Sequence, residues 1–281
     1  MSLVNPLMQK RCIVIPIHRF DLSADEEFSW NSLIQSLPEI PKIIVAPRRF
    51  QAAFQHFRNL KIIFFENHYF TYPKGYNSLL LSKKFYQAFF SFSNILIYQL
   101  DCLICDSSRA NLLESHWDYI GAPWAKNYHT KSGVEFEGVG NGGLSLRNVS
   151  SALRVLETKI SARPDYSMGP PPHWWYWKRV RKVMLCFNLL RAFFPKTTTE
   201  QFLKKHYRGN EDIFWGKFAS QIDPAFKVAT VDEALHFAFE SDPAGSYERI
   251  GKKLPFGCHA WAKHDRAFWE KMGVVEAKFR N

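Results

Sequence analysis

Four short apolar runs with helical segments between them constrain this chain more than any other feature. RCIVIPIHR (11–19), KIIVAP (42–47), KIIFFE (61–66) and NILIYQL (94–100) each have the length and the Ile/Val/Phe content of a buried strand. Strands apolar on both faces need cover on both sides, which is the habit of parallel strands flanked by helices. The intervening segments supply that cover. SADEEFSWNSLIQSL (23–37) has a Ser N-cap, acidic residues in its first turn and apolar residues at helical spacing. FQAAFQHF (50–57) and GYNSLLLSKKFYQAFF (75–90) read as further helices. The expectation is an α/β fold with a mainly parallel sheet. Ligands bind such sheets beyond the carboxyl ends of the strands, so the loops after Pro16, Ala46 and Gln99 are expected to share one crevice.

The second half is less regular. DYIGAPW (118–124) reads as a short strand, and GVGNGGLSLRN (138–148) as a glycine-rich turn running into a strand. A helix is expected over 148–157, another over 209–219 with Asn210 at its N-cap, and a turn bearing a histidine in PFGCHAW (255–261). Between them, residues 159–208 break the pattern and read as an insertion within a single domain spanning 1–281. It opens on a proline run and carries one basic, aromatic helix.

Composition narrows the function classes. The 281 residues are 46% hydrophobic, enough for a full core. No run approaches the ~20 apolar residues of a membrane span, and the N-terminus lacks the order of a signal peptide. The five cysteines are odd in number and lie mostly in apolar runs, so Cys102 and Cys105, although a CxxC, lack the second pair of a zinc site. These features point to a reducing, cytoplasmic setting. A net charge of +11 favours anionic partners without choosing among nucleic acid, acidic lipid and phosphorylated substrates.

The residues that could carry chemistry are few. The run ILIYQLDCLI (95–104) contains Gln99 and Asp101. A carboxylate there is costly unless it is paired, hydrogen-bonded or holding a cation. At a strand end it would reach the crevice, and Gln99 would point the same way because strand side chains alternate. An amide oxygen and a carboxylate are ligands suited to Mg²⁺ or Mn²⁺ beside a diphosphate; an Asp capping a neighbouring loop reads the same in sequence. Gly142 and Gly143 precede a strand and would let backbone approach a ligand closely, or form an ordinary turn. Glu211 and Asp212 open a helix, where the dipole favours the ionised form a general base needs; simple capping is the other reading. His259 is a metal ligand, a phosphate contact or a surface histidine.

In this order, YQLD, DYIGAPW, VGNGGLSLR, NEDIFW and PFGCHAW resemble a family of GT-A-type glycosyltransferases, catalogued as a domain of unknown function (DUF5672-like) in bacterial and viral surface-polysaccharide loci. The resemblance covers nearly all of the chain outside 159–208. It implies a GT-A-like, Rossmann-like domain that binds a nucleotide-sugar donor at the strand ends, with Mn²⁺ or Mg²⁺ held on the diphosphate by an Asp-x-Asp motif. Asp101 matches the second aspartate and Gln99 stands in place of the first, which removes one ligand charge. Pro16, His18, Arg19 and Lys83 fall on the donor side, where the basic groups would offset part of the diphosphate charge. Gly142 and Gly143 match the segment lining the sugar and acceptor pocket. Glu211 and Asp212 match the acidic pair of inverting enzymes, with Asp212 as base and Glu211 on acceptor or sugar hydroxyls. His259 matches a late histidine that reaches the metal or diphosphate. The implied reaction moves a sugar to a hydroxyl of a surface glycan or lipid-linked saccharide.

Two other readings stay open: a catalytically inactive relative that binds a nucleotide or glycan, and a basic nucleic-acid-binding protein. No nucleic-acid module is recognisable, so no nucleic acid is expected as a partner. Within 173–196, tryptophans and Lys/Arg surround an apolar stripe at helical spacing. That is the pattern of a helix docked on an anionic membrane surface, or of one packed on the protein itself.

Overall fold

In the computed structural model the described residues are 9–54, 61–126, 135–160 and 197–275. The expected α/β architecture is present. Strands β1 (Gln9–Pro16), β2 (Lys42–Pro47), β3 (Lys61–Phe65) and β4 (Phe92–Tyr98) form the parallel part of one sheet, in the order β3-β2-β1-β4. Cys12 to Ile15 on β1 and Ile95 to Tyr98 on β4 are at most 1% exposed, as unbroken apolar runs require. Helix α1 (Ala24–Ser36) starts where the sequence places it: Ser23 and Glu26 form a reciprocal capping box.

The 50–57 segment is a turn of 3₁₀ helix followed by the short helix α2 (Gln51–Phe54); residues 55–57 lie outside the described residues. The expected single helix over 75–90 is two, α3 (Pro73–Leu80) and α4 (Lys83–Gln87). The break falls at Ser82, whose hydroxyl accepts from the Phe85 amide and starts the second helix.

β4 ends at Tyr98, not at Gln99 or Asp101. The Cys102 amide bonds the Gln99 carbonyl at 3.0 Å, closing a turn over 99–102, and the Tyr98 hydroxyl pins it by donating to the Cys102 carbonyl at 2.7 Å. Asp101 is therefore a turn residue with its side chain 49% exposed, not a carboxylate inside a buried strand. Half-exposed, it still carries a desolvation cost, which its pairing with His259 offsets.

The 118–124 stretch is also two elements. After the short strand β5 (Leu103–Ile104), strand β6 (Tyr119–Gly121) joins the main sheet, whereas β7 (Pro123–Ala125) pairs antiparallel with β8 (Phe136–Val139). Strand β9 (Leu144–Asn148) lies antiparallel between β4 and β6, completing the six-stranded order β3-β2-β1-β4-β9-β6. Helix α5 (Val149–Glu157) follows at once, within the expected 148–157, and Asn148 caps it by accepting from the Ser151 amide.

Lys159–Ile160, at the start of the expected 159–208 insertion, pairs antiparallel with Thr197–Thr198, which lies short of its expected end. The helix Thr199–His206, inside the predicted 159–208 boundaries, buries Phe202 and Leu203. The predicted basic helix over 173–196 lies outside the described residues. No helix among the described residues is long and apolar enough to cross a membrane.

Candidate functional site

The carboxyl ends of β1 and β4 open onto a cleft of about 460 Å³. Pro16, His18, Arg19, Gln99 and Asp101 line it, as the strand-end rule leads one to expect. The turn before α3 supplies the opposite wall through Phe70 and Tyr72, and α3 itself through Tyr76, none of which carried a sequence signal. Tyr72 stands 73% exposed at the cleft's rim. The loop after Ala46 does not line the cleft; it reaches it indirectly, Arg49 donating to the His18 carbonyl at 3.2 Å. Lys83 is elsewhere, 3.7 Å from Glu157, with its amide bonded to Glu200.

Beside the cleft, the turn Asn141–Gly143 connects the remaining candidates. Asn141 takes φ +68°, and its Oδ1 accepts from the amides of Gly143 (2.9 Å) and Leu144 (3.2 Å). A side-chain amide that bonds its own backbone in this way is well suited to the left-handed region. The Gly143 carbonyl accepts from the Gln99 amide at 2.9 Å, so this turn and the 99–102 turn are locked together. A Cβ on Gly143 would lie 2.1 Å from His259 Nε2, and one on Gly142 2.1 Å from Glu211 Oε1. The room these glycines leave is filled by side chains of the site itself, where the sequence suggested a ligand.

His259 follows the short strand Gly257–Cys258, and its ring is 16% exposed. Nδ1 lies 2.9 Å from Glu240 Oε1, and Nε2 3.4 Å from Asp101 Oδ1. Burial pushes the imidazole pKa down, but the carboxylates of Asp101 and Glu240 overcome it and lift the pKa to about 10. Asp101 responds in the opposite sense: burial would raise its carboxyl, yet His259 holds it below the ordinary value. Nε2 is nonetheless a buried atom without a hydrogen-bond partner, and so are Tyr76 Oη and Asn141 Nδ2. Tyr76 lines the cleft, and the other two belong to the 141–143 turn and to the histidine that faces Asp101. Buried polar groups are normally satisfied, so this concentration points to a ligand surface.

Asp101, Cys102 and His259 each offer a ligand atom within 4.8 Å of the others. The Cys102 thiol is buried and donates to the Gly143 carbonyl, and burial raises its pKa well above the ordinary value. The remaining pair, a carboxylate and an imidazole whose far nitrogen is held by a carboxylate, is a recognised metal-binding arrangement. A divalent ion held there would take most of its remaining ligands from water or a bound ligand.

Glu211 and Asp212 sit side by side and are used differently. Glu211 is 3% exposed and forms a two-pronged ion pair with Arg147, itself 1% exposed, at 2.7 and 2.9 Å. Burial raises the Glu211 carboxyl while Arg147 pulls it back. Asp212 stays partly open, and N–H donors orient it: Ile213 N at 2.9 Å on Oδ1, then Asn141 N at 3.1 Å and Trp124 Nε1 at 3.3 Å on Oδ2. Asn210 occupies the N-cap position without a capping bond of its own; its Oδ1 accepts from Asn77 instead. Arg147, Trp124, Asn141 and Glu240 join the cleft aromatics as site residues the sequence reading did not single out. Trp124 lies in GAPW, and a Cβ on Gly140 would fall 1.8 Å from its indole, so the nearby VGNGG run is shaped to admit that ring.

The chain belongs to the family described as "Protein of unknown function (DUF5672)", whose profile matches residues 59–259. No curated protein matches it. Among solved structures it is similar to the galactosyltransferase LgtC, determined with donor and acceptor sugar analogues, at 12% identity over 94% of this chain and 96% of that one, TM-score 0.45. It is also similar to the glycosyltransferase GlyE of Streptococcus pneumoniae TIGR4, at 13% identity over 95% and 61% of the two chains, TM-score 0.41. A glycosyltransferase that acts in glycosylation of the major capsid of PBCV-1 is similar at 9% identity over 93% and 99%, TM-score 0.36.

Proposed function

We propose that this protein is a GT-A-like glycosyltransferase, transferring a sugar from a nucleotide-sugar to a hydroxyl acceptor. The observation that carries the reading is the Asn141–Gly143 turn, which holds Asp212 against one side and His259 with Asp101 against the other, beside a strand-end cleft. A partly open carboxylate near one end and a group able to meet a diphosphate near the other are what glycosyl transfer needs.

In this reading the donor lies in the cleft with its diphosphate toward Asp101, His259 and Arg19, and its base along Tyr72 and Tyr76. Asp212 takes the proton of the acceptor hydroxyl as that oxygen bonds to the anomeric carbon. The bond from that carbon to the diphosphate breaks, and its electron pair leaves with the phosphate oxygen. Attack opposite the leaving group inverts the anomeric configuration. Asp101 and His259 would hold Mn²⁺ or Mg²⁺, which supplies charge neutralisation on the leaving diphosphate. Glu211 serves by clamping Arg147 under the turn that carries Asp212, and Lys83 takes no part. The acceptor is a surface glycan or a lipid-linked saccharide.

A thermal-shift screen against UDP, GDP, CMP and dTDP and their common sugars, each with Mn²⁺, Mg²⁺ or EDTA, tests this. Saturation at ~100 times the dissociation constant adds about 2.7 kcal/mol, roughly 5 °C for a chain of this size. Asp101→Ala should abolish that rise, whereas Asp212→Asn should keep it and lose transfer. No rise with any nucleotide would overturn the reading.

A further inference from the structure

Helix α3 has two lined sides. Tyr76 faces the cleft, while Lys74 and Asn77 face a separate cavity of about 520 Å³, closed opposite by the helix Thr199–His206. Lys74, Lys84, Lys204 and Arg208 bring four full positive charges to this cavity, and Glu200 is the one carboxylate lining it. Glu200 is already engaged by the Lys83 amide at 2.8 Å, and Lys84 is answered from behind by Glu66 at 2.6 Å. Arg208 donates to the carbonyls of Tyr207 and Lys205. It has no carboxylate partner among the described residues, and neither do Lys74 and Lys204.

Cations gathered around a concave surface repel one another and raise the local concentration of anions. Ammonium and guanidinium groups together match the several oxygens of a phosphate. The volume lies in the range of small-ligand sites and exceeds a bare phosphate, leaving room for whatever carries it. We propose that this cavity is a second anion site, distinct from the cleft, that takes a phosphomonoester or diphosphate group. Its occupant lies one step from the chemistry: Asn77 in the cavity wall donates to Asn210 at 3.3 Å and accepts from the Glu211 amide at 3.4 Å. The site stands whether or not the cleft binds a nucleotide-sugar.

Calorimetric titration of the full chain with inorganic pyrophosphate tests it. Lys74→Gln/Lys204→Gln should weaken pyrophosphate binding at least tenfold, and Lys253→Gln/Lys271→Gln, which removes the same charge elsewhere, should not. All four lysines are exposed, so the melting temperatures without ligand should stay together. Equal loss in both variants, no loss in either, or no binding by the wild type overturns the proposal. Flotation with phosphatidylcholine vesicles, with and without phosphatidic acid, separates the sources. Vesicle binding lost in the first variant assigns a lipid headgroup; vesicle binding unchanged while pyrophosphate binding falls assigns a soluble phosphorylated ligand.

Discussion

Removing the charge of Glu211 should cost stability before it costs chemistry. In Glu211→Gln the Arg147 guanidinium, 1% exposed, loses both charged contacts and keeps neutral acceptors at Ser145 Oγ and Tyr86 Oη. Leaving one member of a buried pair uncompensated costs about 3–5 kcal/mol. At roughly 2 °C per kcal/mol for a chain of this length, the melting temperature should fall by about 6–10 °C. Arg147→Met should cost a similar amount, because it strands the carboxylate instead. The double variant, Arg147→Met with Glu211→Gln, should lose far less than the sum of the two single losses, since no buried charge is left without its partner. Gly142→Ala should act in the same direction, because its Cβ would press on Glu211 Oε1 from 2.1 Å. Urea and thermal unfolding of the four variants provide the measurement. A loss under 1 kcal/mol in Glu211→Gln, or additive losses in the double variant, would refute the view of Glu211 as a structural partner of Arg147.

Other consequences concern the site directly. Trp124→Phe keeps an aromatic ring at the position but removes the indole N–H from Asp212, so turnover should fall about tenfold, the worth of one hydrogen bond, with the Michaelis constant for the donor unchanged; a rise in that constant alone would place Trp124 in binding. Gly143→Ala forces His259 away from Asp101, and Mn²⁺ affinity read by electron paramagnetic resonance should drop at least tenfold while the far-ultraviolet spectrum is retained. Wild-type Mn²⁺ affinity in that variant would remove Asp101 and His259 as the ion's holders.

The elements that need only neighbouring residues were legible before any coordinates. Runs such as KIIVAP declare a strand because every residue in them must be covered, and Ser23 with Glu26 declares a helix start because the capping box closes over four residues. The split at Ser82 was equally local, one hydroxyl on one amide, but hidden by an apolar pattern that runs straight across it. The site behaves differently. Gln99 and Asp101 could be placed near the cleft, yet their turn depends on a Tyr98 hydroxyl, and Asp101 meets His259 from the far end of the chain. Glu211 and Asp212 look equivalent as neighbours in a sequence. Only packing separates them, by placing Arg147 under one carboxylate and the Trp124 indole beside the other. Secondary structure follows contacts a few residues long, which a sequence displays. The division of roles among acidic groups follows from which distant cation or donor each one meets, and that is decided when the sheet closes.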